Sequence, residues 1–140
     1  MKISSQFSIA VHVLCLLEID KDNLCTSDWI AGSVNTNPVI IRRILGKLKK
    51  AKLVEVKAGS GGASLIKDVK LISLYDVYKA MEVVSSGNLF NFHESPNPLC
   101  LVGANIHNAL GGSLMRAEKK LEEELQKTTI YDLARIINKK

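Results

Sequence analysis

Asn37-Pro38-Val39-Ile40-Ile41-Arg42-Arg43-Ile44-Leu45-Gly46-Lys47-Leu48-Lys49-Lys50-Ala51-Lys52-Leu53-Val54-Glu55-Val56-Lys57 runs without a break into Ala58-Gly59-Ser60-Gly61-Gly62-Ala63-Ser64-Leu65-Ile66-Lys67. The first part carries the marks of a helix. Asn37 suits an N-cap and Pro38 the first helical position, where its missing N–H costs nothing. Ile41, Ile44, Leu45 and Leu48 recur at the spacing of one buried stripe. Arg42, Arg43, Lys47, Lys49 and Lys50 fall mostly outside that stripe, and no acidic residue lies between Pro38 and Val54. A surface built only for solubility mixes both signs. The one-signed face therefore predicts a polyanionic partner, against the simpler alternative of a solvated lysine-rich face.

The second part alternates. Leu53, Val54 and Val56, with Glu55 and Lys57 between them, fit a half-buried strand. Gly59, Gly61 and Gly62 permit positive φ and close backbone approach at a hairpin tip. A glycine-rich tip can also cradle a nucleotide, but there is no G-x-x-x-x-G-K-[ST] and no helix follows directly. A basic helix that feeds a basic hairpin is the layout of a winged helix-turn-helix. The partner it predicts is double-stranded DNA.

The remainder of the chain supplies the frame. Its 140 residues suit one domain-sized unit, and 46% hydrophobic content is enough for a core. The net charge of +5 is concentrated in the first half, as a polyanion footprint requires. Cys15, Cys25 and Cys100 are an odd count without a close pair, which argues against a disulfide scaffold and for a reducing cytoplasm. The apolar run from Ile9 to Leu17 follows Lys2, but His12 interrupts it, Glu18 and Asp20 follow it, and no small-residue cleavage site appears. It is too short to span a bilayer. We read Ser4 to Glu18 as a buried first helix with Phe7, Val11, Leu14 and Leu17 in its core stripe.

Thr26 or Ser27 can cap a second, short helix containing Trp29, Ile30, Ala31 and Val34, with Trp29 as a packing residue. Asn35-Thr36-Asn37 is then the turn. Ser73 and Asp76 match a capping box opening a fourth helix, with Leu74, Val77, Met81 and Val84 as its stripe. Gly87, Asn88, Asn91, Pro96, Asn97 and Pro98 mark a loop. A long helix follows Cys100 and reaches about Lys127. In it Leu110, Leu114, Ala117 and Leu121 recur at alternating spacings of four and three, a seam suited to another helix. Thr129 and Asp132 cap a last helix bearing Ile130, Leu133, Ile136 and Ile137. The expected class is mainly α with a small β-hairpin. Residues 1–85 form the winged helix-turn-helix, 86–99 an effector or sensor loop, and 100–140 the dimerisation helix and C-terminal helix.

Along essentially its full length the chain resembles the bacterial winged-helix regulators of the Rrf-two family, relatives of the iron–sulfur cluster regulator. The carriers are the opening Met1-Lys2-Ile3-Ser4-Ser5, the segment Ile40 to Val54 with its R-x-L-x-K-L-x-K-A-x-L-V-like cadence, the glycine wing, and the loop before a long helix. The resemblance implies a homodimeric transcription factor, a repressor at a pseudo-palindromic operator, with the long helix as the dimer interface. It places Asn37, Val39, Arg42 and Arg43 at the reading helix, Lys2, Ser5, Ser27 and Lys47 on phosphates, and Lys57 and Ser60 on the wing. An arginine can pair with guanine N7 and O6, whereas phosphate contacts position without reading. Many family members carry R-G-P-G-G-G-Y in the wing. Here Ala58 stands where their arginine enters the minor groove.

Several relatives hold an iron–sulfur cluster through three loop cysteines. Only Cys100 remains here, with Glu94 and Asn88 at the matching positions, so no cofactor and no metal are expected. His93 and His107 read as surface residues, and the His12/Cys15 pair as packing in a core helix. Cys25 reads either as a small packing residue, as free cysteines often are, or as the candidate redox sensor, because it precedes the second helix, where the dipole favours a thiolate. Cys100 is the runner-up. No nucleophile, base and oxyanion site come together, so no enzyme is expected. The alternatives are a protein-interaction dimer and a small-molecule-responsive regulator without a redox role.

Overall fold

The computed structural model describes residues 5–59, 61–81 and 89–139. Helix α1 (Ser5–Ile19) is the central post. Helices α2 (Ser27–Val34) and α3 (Pro38–Lys50) pack on it and on each other. Strands β1 (Val54–Val56) and β2 (Ala63–Leu65) pair antiparallel in the register Val54↔Leu65, Glu55↔Ser64, Val56↔Ala63. A 3-10 turn (Val69–Leu71) leads into α4 (Leu74–Ala80). Then come the long α5 (Leu101–Gln126) and α6 (Ile130–Asn138), which returns to α1. This is the mainly helical winged helix-turn-helix that the sequence predicts.

Local chemistry sets the boundaries. Asn37 Oδ1 accepts from the Val39 N–H at 2.8 Å, with Pro38 behind it. Ser73 and Asp76 exchange hydrogen bonds of 3.0 and 3.1 Å, and Thr129 and Asp132 do the same at 2.9 and 3.1 Å. Each box satisfies two N–H groups that a helix start leaves orphaned. The two boxes also meet in space. Ser73 and Thr129 form a bridge, flanked by Ile130 N–H to Ile72 O and Leu74 N–H to Thr128 O, both 2.9 Å. The C-terminal helix is thereby clamped to the start of α4.

One core is shared by all of these elements except α5. Leu14, Ile30, Ile41, Ile44, Leu48, Val54, Ile72, Val77, Met81 and Ile130 are fully buried. The stripe expected for α1 is corrected. Leu14 and Leu17 are buried, but Phe7 and Val11 only pack against the core, while Ala10, Val13 and Cys15 lie inside it. The helix is apolar on most of its circumference, so spacing alone does not choose the face. Trp29 is also corrected: it is 49% exposed, not a packing residue. Ile30 and Ala31 take the inward positions of α2. Val84, expected in the α4 stripe, lies outside the described residues. Among the described residues no helix is long and apolar enough to cross a membrane.

Candidate nucleic-acid interface

The buried stripe of α3 decides what its other side can do. With Ile41, Ile44, Leu45 and Leu48 locked in the core, Val39, Arg42, Arg43, Lys49 and Lys50 turn outward. Val39 is 54% exposed at the helix start. Among the described residues the Arg42 and Arg43 guanidinium groups make no ion pair. Their full positive charge and planar donor forks stay available. The turn that aims α3 is built from Asn35 in the left-handed region (φ 64°), whose N–H donates to Ala31 O at 2.8 Å. Helix α2 begins beside it. Thr26 Oγ1 accepts from the Trp29 N–H at 3.1 Å, and Ser27 is the first helical residue.

The wing is fastened to that helix start. Ala63 N–H donates to Cys25 O at 2.8 Å, and Lys57 N–H to Gly62 O at 3.0 Å closes the hairpin. Gly62 sits at φ 76°, and a Cβ there would press on Cys25 O at 3.1 Å. Lys57 is exposed on the wing, and Ser5 is exposed at the first position of α1. Lys2 and Ser60 lie outside the described residues.

Lys47, which the resemblance assigns to phosphate, already has partners within the chain. Its Nζ donates to Gln6 Oε1 at 2.9 Å and to Met81 O at 3.4 Å, tying α3 to α1 and to the end of α4. Lys47→Met should therefore cost about 1–2 kcal/mol of stability, because charged hydrogen bonds in part-buried surroundings are lost. Urea denaturation checks this, and an unchanged midpoint would show the contacts to be idle. Trp29 is the exposed residue that sequence reading did not place at this surface. The signal was there, since the stripe Ile30, Ala31, Val34 leaves position 29 outside.

The two candidate thiols differ in exposure. Cys25 is buried, and its Sγ donates to Asp20 O at 3.7 Å and Asn23 O at 3.6 Å. Burial and then the Asp20 carboxylate push its thiol up, opposite to the direction that a helix start alone predicts. Cys100 is exposed at the N-cap of α5, where the N–H groups of Gly103 and then Val102 pull its thiol down. Thiolate is the reacting form. Iodoacetamide at neutral pH should label Cys100 first and reach Cys15 and Cys25 only on unfolding. Peptide mass mapping that finds Cys25 modified first would contradict this placement.

His12 Nε2 lies 2.9 Å from Ser33 Oγ, tying α1 to α2. His93 is exposed, but His107 is corrected: its ring packs against Phe92 (centroids 4.9 Å) and His93 (5.1 Å), with a buried Nε2. The donor set does not fit a three-thiolate cluster. Glu94 is an exposed loop carboxylate, Cys100 stands alone in that region, Cys15 and Cys25 are in the core, and Asn88 lies outside the described residues.

A family model described as an iron-dependent transcriptional regulator, Rrf2, matches residues 3–136. YwnA of Bacillus subtilis (strain 168), assigned by name to the HTH-type transcriptional regulators, is 42% identical over 131 residues, covering 94% of this chain and 96% of that one. A crystal structure from Lactobacillus plantarum, described as a transcriptional regulator, superposes with a TM-score of 0.82 at 27% identity, over 96% of this chain and 90% of that one. CymR, the global cysteine regulator of Bacillus subtilis, shares the fold, with a TM-score of 0.70 at 21% identity over 96% and 97% of the two chains.

Proposed function

Since the chain belongs to the Rrf2 family of transcriptional regulators, which are not enzymes, we propose that it is a homodimeric, sequence-specific DNA-binding repressor acting at a pseudo-palindromic operator. One observation carries this reading. The exposed side of α3 presents Val39, Arg42 and Arg43 at a helix start, with neither guanidinium group in an ion pair among the described residues. Asn37 caps α3 and Ser27 opens α2; Ser5 and Lys57 are exposed and would serve as backbone contacts, a role that the family resemblance also assigns to Lys2 and Ser60.

The dimer half of the reading rests on α5. This 26-residue helix has no buried residue and packs within its own chain chiefly on α4. At 1.5 Å per residue it is about 39 Å long. Leu101, Val102, Leu110 and Met115 are exposed, Leu114 and Leu121 half-buried, and Ala117 exposed. Helices α1 and α6 leave a matching apolar groove lined by Val11, Cys15, Leu16, Leu133, Ile136 and Ile137. We assign that groove to the α5 of a second copy. A two-fold axis makes the exchange reciprocal, so each protomer gives one helix and receives one.

Any thiol-redox control passes from Cys25 to Cys100, the exposed thiol at the head of α5. The test of DNA binding itself is its salt dependence. Fluorescence anisotropy on duplexes should show log affinity falling linearly with log salt, at roughly 0.9 per phosphate neutralised. A salt-independent signal would favour a protein-interaction dimer with an incidental basic face.

A further inference from the structure

Two residues on the outer side of α3 cost it helix stability. Val39, Arg43 and Gly46 follow one another at spacings of four and three, on one side of the helix and opposite the buried Ile41, Ile44, Leu45 and Leu48. Valine is a weaker helix former than alanine, and glycine is weaker still. Val39 is 54% exposed, so the core claims less than half of it. A Cβ at Gly46 would meet no atom within 4 Å, and its φ is not positive, so nothing among the described residues requires a glycine there. The helix cap fixes Val39. Its N–H donates to Asn37 Oδ1 at 2.8 Å, and a β-branched side chain in a helix keeps one strongly preferred rotamer. Val39 is thus a rigid apolar knob in the first turn. Gly46, two turns on, leaves the backbone bare where another surface can come close.

We propose that Val39 reads the C5-methyl group of a thymine in the major groove. The proposal rests on the DNA-binding reading above and deepens it by naming one base of the operator. The N-terminal residues of a helix in the major groove meet base edges. Valine has no donor or acceptor to offer them, and the thymine methyl is the apolar group displayed there. Arginine meets the hydrogen-bonding edge of guanine instead, so Val39 and Arg42 divide the task. Three residues along α3 span about 4.5 Å and one base pair about 3.4 Å, which puts the thymine within about two base pairs of the base that Arg42 reads.

The experiment removes that methyl group alone. In an operator selected by the wild-type protein, deoxyuridine replaces each thymine, one symmetric pair at a time. Fluorescence anisotropy then measures the affinity of wild type and Val39→Ala for each duplex, after circular dichroism confirms that the variant is folded. For wild type, one symmetric pair of positions should lose about tenfold, since each half-site gives up the burial of one methyl group, about threefold to fourfold. Val39→Ala should bind the thymine duplex more weakly by at least as much, and should no longer distinguish it from the deoxyuridine duplex. Lys49→Ala, which keeps Val39, should weaken every duplex alike and retain the difference. An operator with no thymine at that place, or a wild type indifferent to deoxyuridine at every position, would overturn the proposal. So would a methyl dependence that persists in Val39→Ala, because another residue would then touch the methyl. A dependence lost in Lys49→Ala as well would do the same, because it would follow overall affinity and not Val39. If wild type selects no duplex at all, the DNA-binding reading itself falls, and the two failures are thereby told apart.

Discussion

Leu110→Glu is expected to yield a folded protein that no longer dimerises. Leu110 is 40% exposed in the single chain, so a carboxylate there disturbs little within one protomer. In the proposed dimer the same position meets the apolar groove of the second copy. Burying an unpaired charge costs several kcal/mol, and two-fold symmetry applies the cost twice. Light scattering should report a mass near 15.4 kDa rather than twice that. DNA affinity should fall by about 10²–10⁴, because the second half-site is no longer delivered at high effective concentration. Ile137→Glu, on the accepting groove, should give the same result. An intact dimer for both variants would remove α5 and its groove from the interface.

Arg42→Ala should weaken binding to the preferred operator and flatten base preference at one position of each half-site. A bidentate arginine–guanine pair contributes roughly 1–3 kcal/mol of discrimination, or about tenfold for each 1.4 kcal/mol. Lys49→Ala is the control. Its side chain is exposed on the same helix, but a point charge on phosphate positions without reading. It should weaken all sequences alike. Competition binding on a panel of single-base operator variants separates the two patterns. An unchanged preference profile for Arg42→Ala would mean that another residue reads the sequence.

What was legible in the sequence was local. The Asn37-Pro38 start, the Ser73/Asp76 and Thr129/Asp132 boxes, and the α3 stripe each depend on residues within a turn or two of one another, and each is present as read. What was not legible depended on distant partners. Lys47 is turned by Gln6 and Met81, residues from α1 and the end of α4. Cys25 illustrates the same limit. The dipole argument for a thiolate at a helix start holds in kind, but at Cys25 the wing closes over the site through Ala63, and burial wins. At Cys100 the preceding loop leaves the helix start open, and there the backbone N–H groups prevail. The face of α1 could not be chosen from spacing, because a helix apolar nearly all round has no single stripe to find.

The central claim is that two copies of α3 read a two-fold site in duplex DNA. The most direct test is selection of bound duplexes from a random-sequence pool by the purified protein, followed by sequencing. The enriched sites should contain an inverted repeat with half-site centres about one helical turn apart, roughly 10 base pairs, or a multiple of it. Arg42→Ala should lose conservation at a symmetric pair of positions. Enriched sequences without a dyad, or no enrichment over the starting pool, would contradict the account.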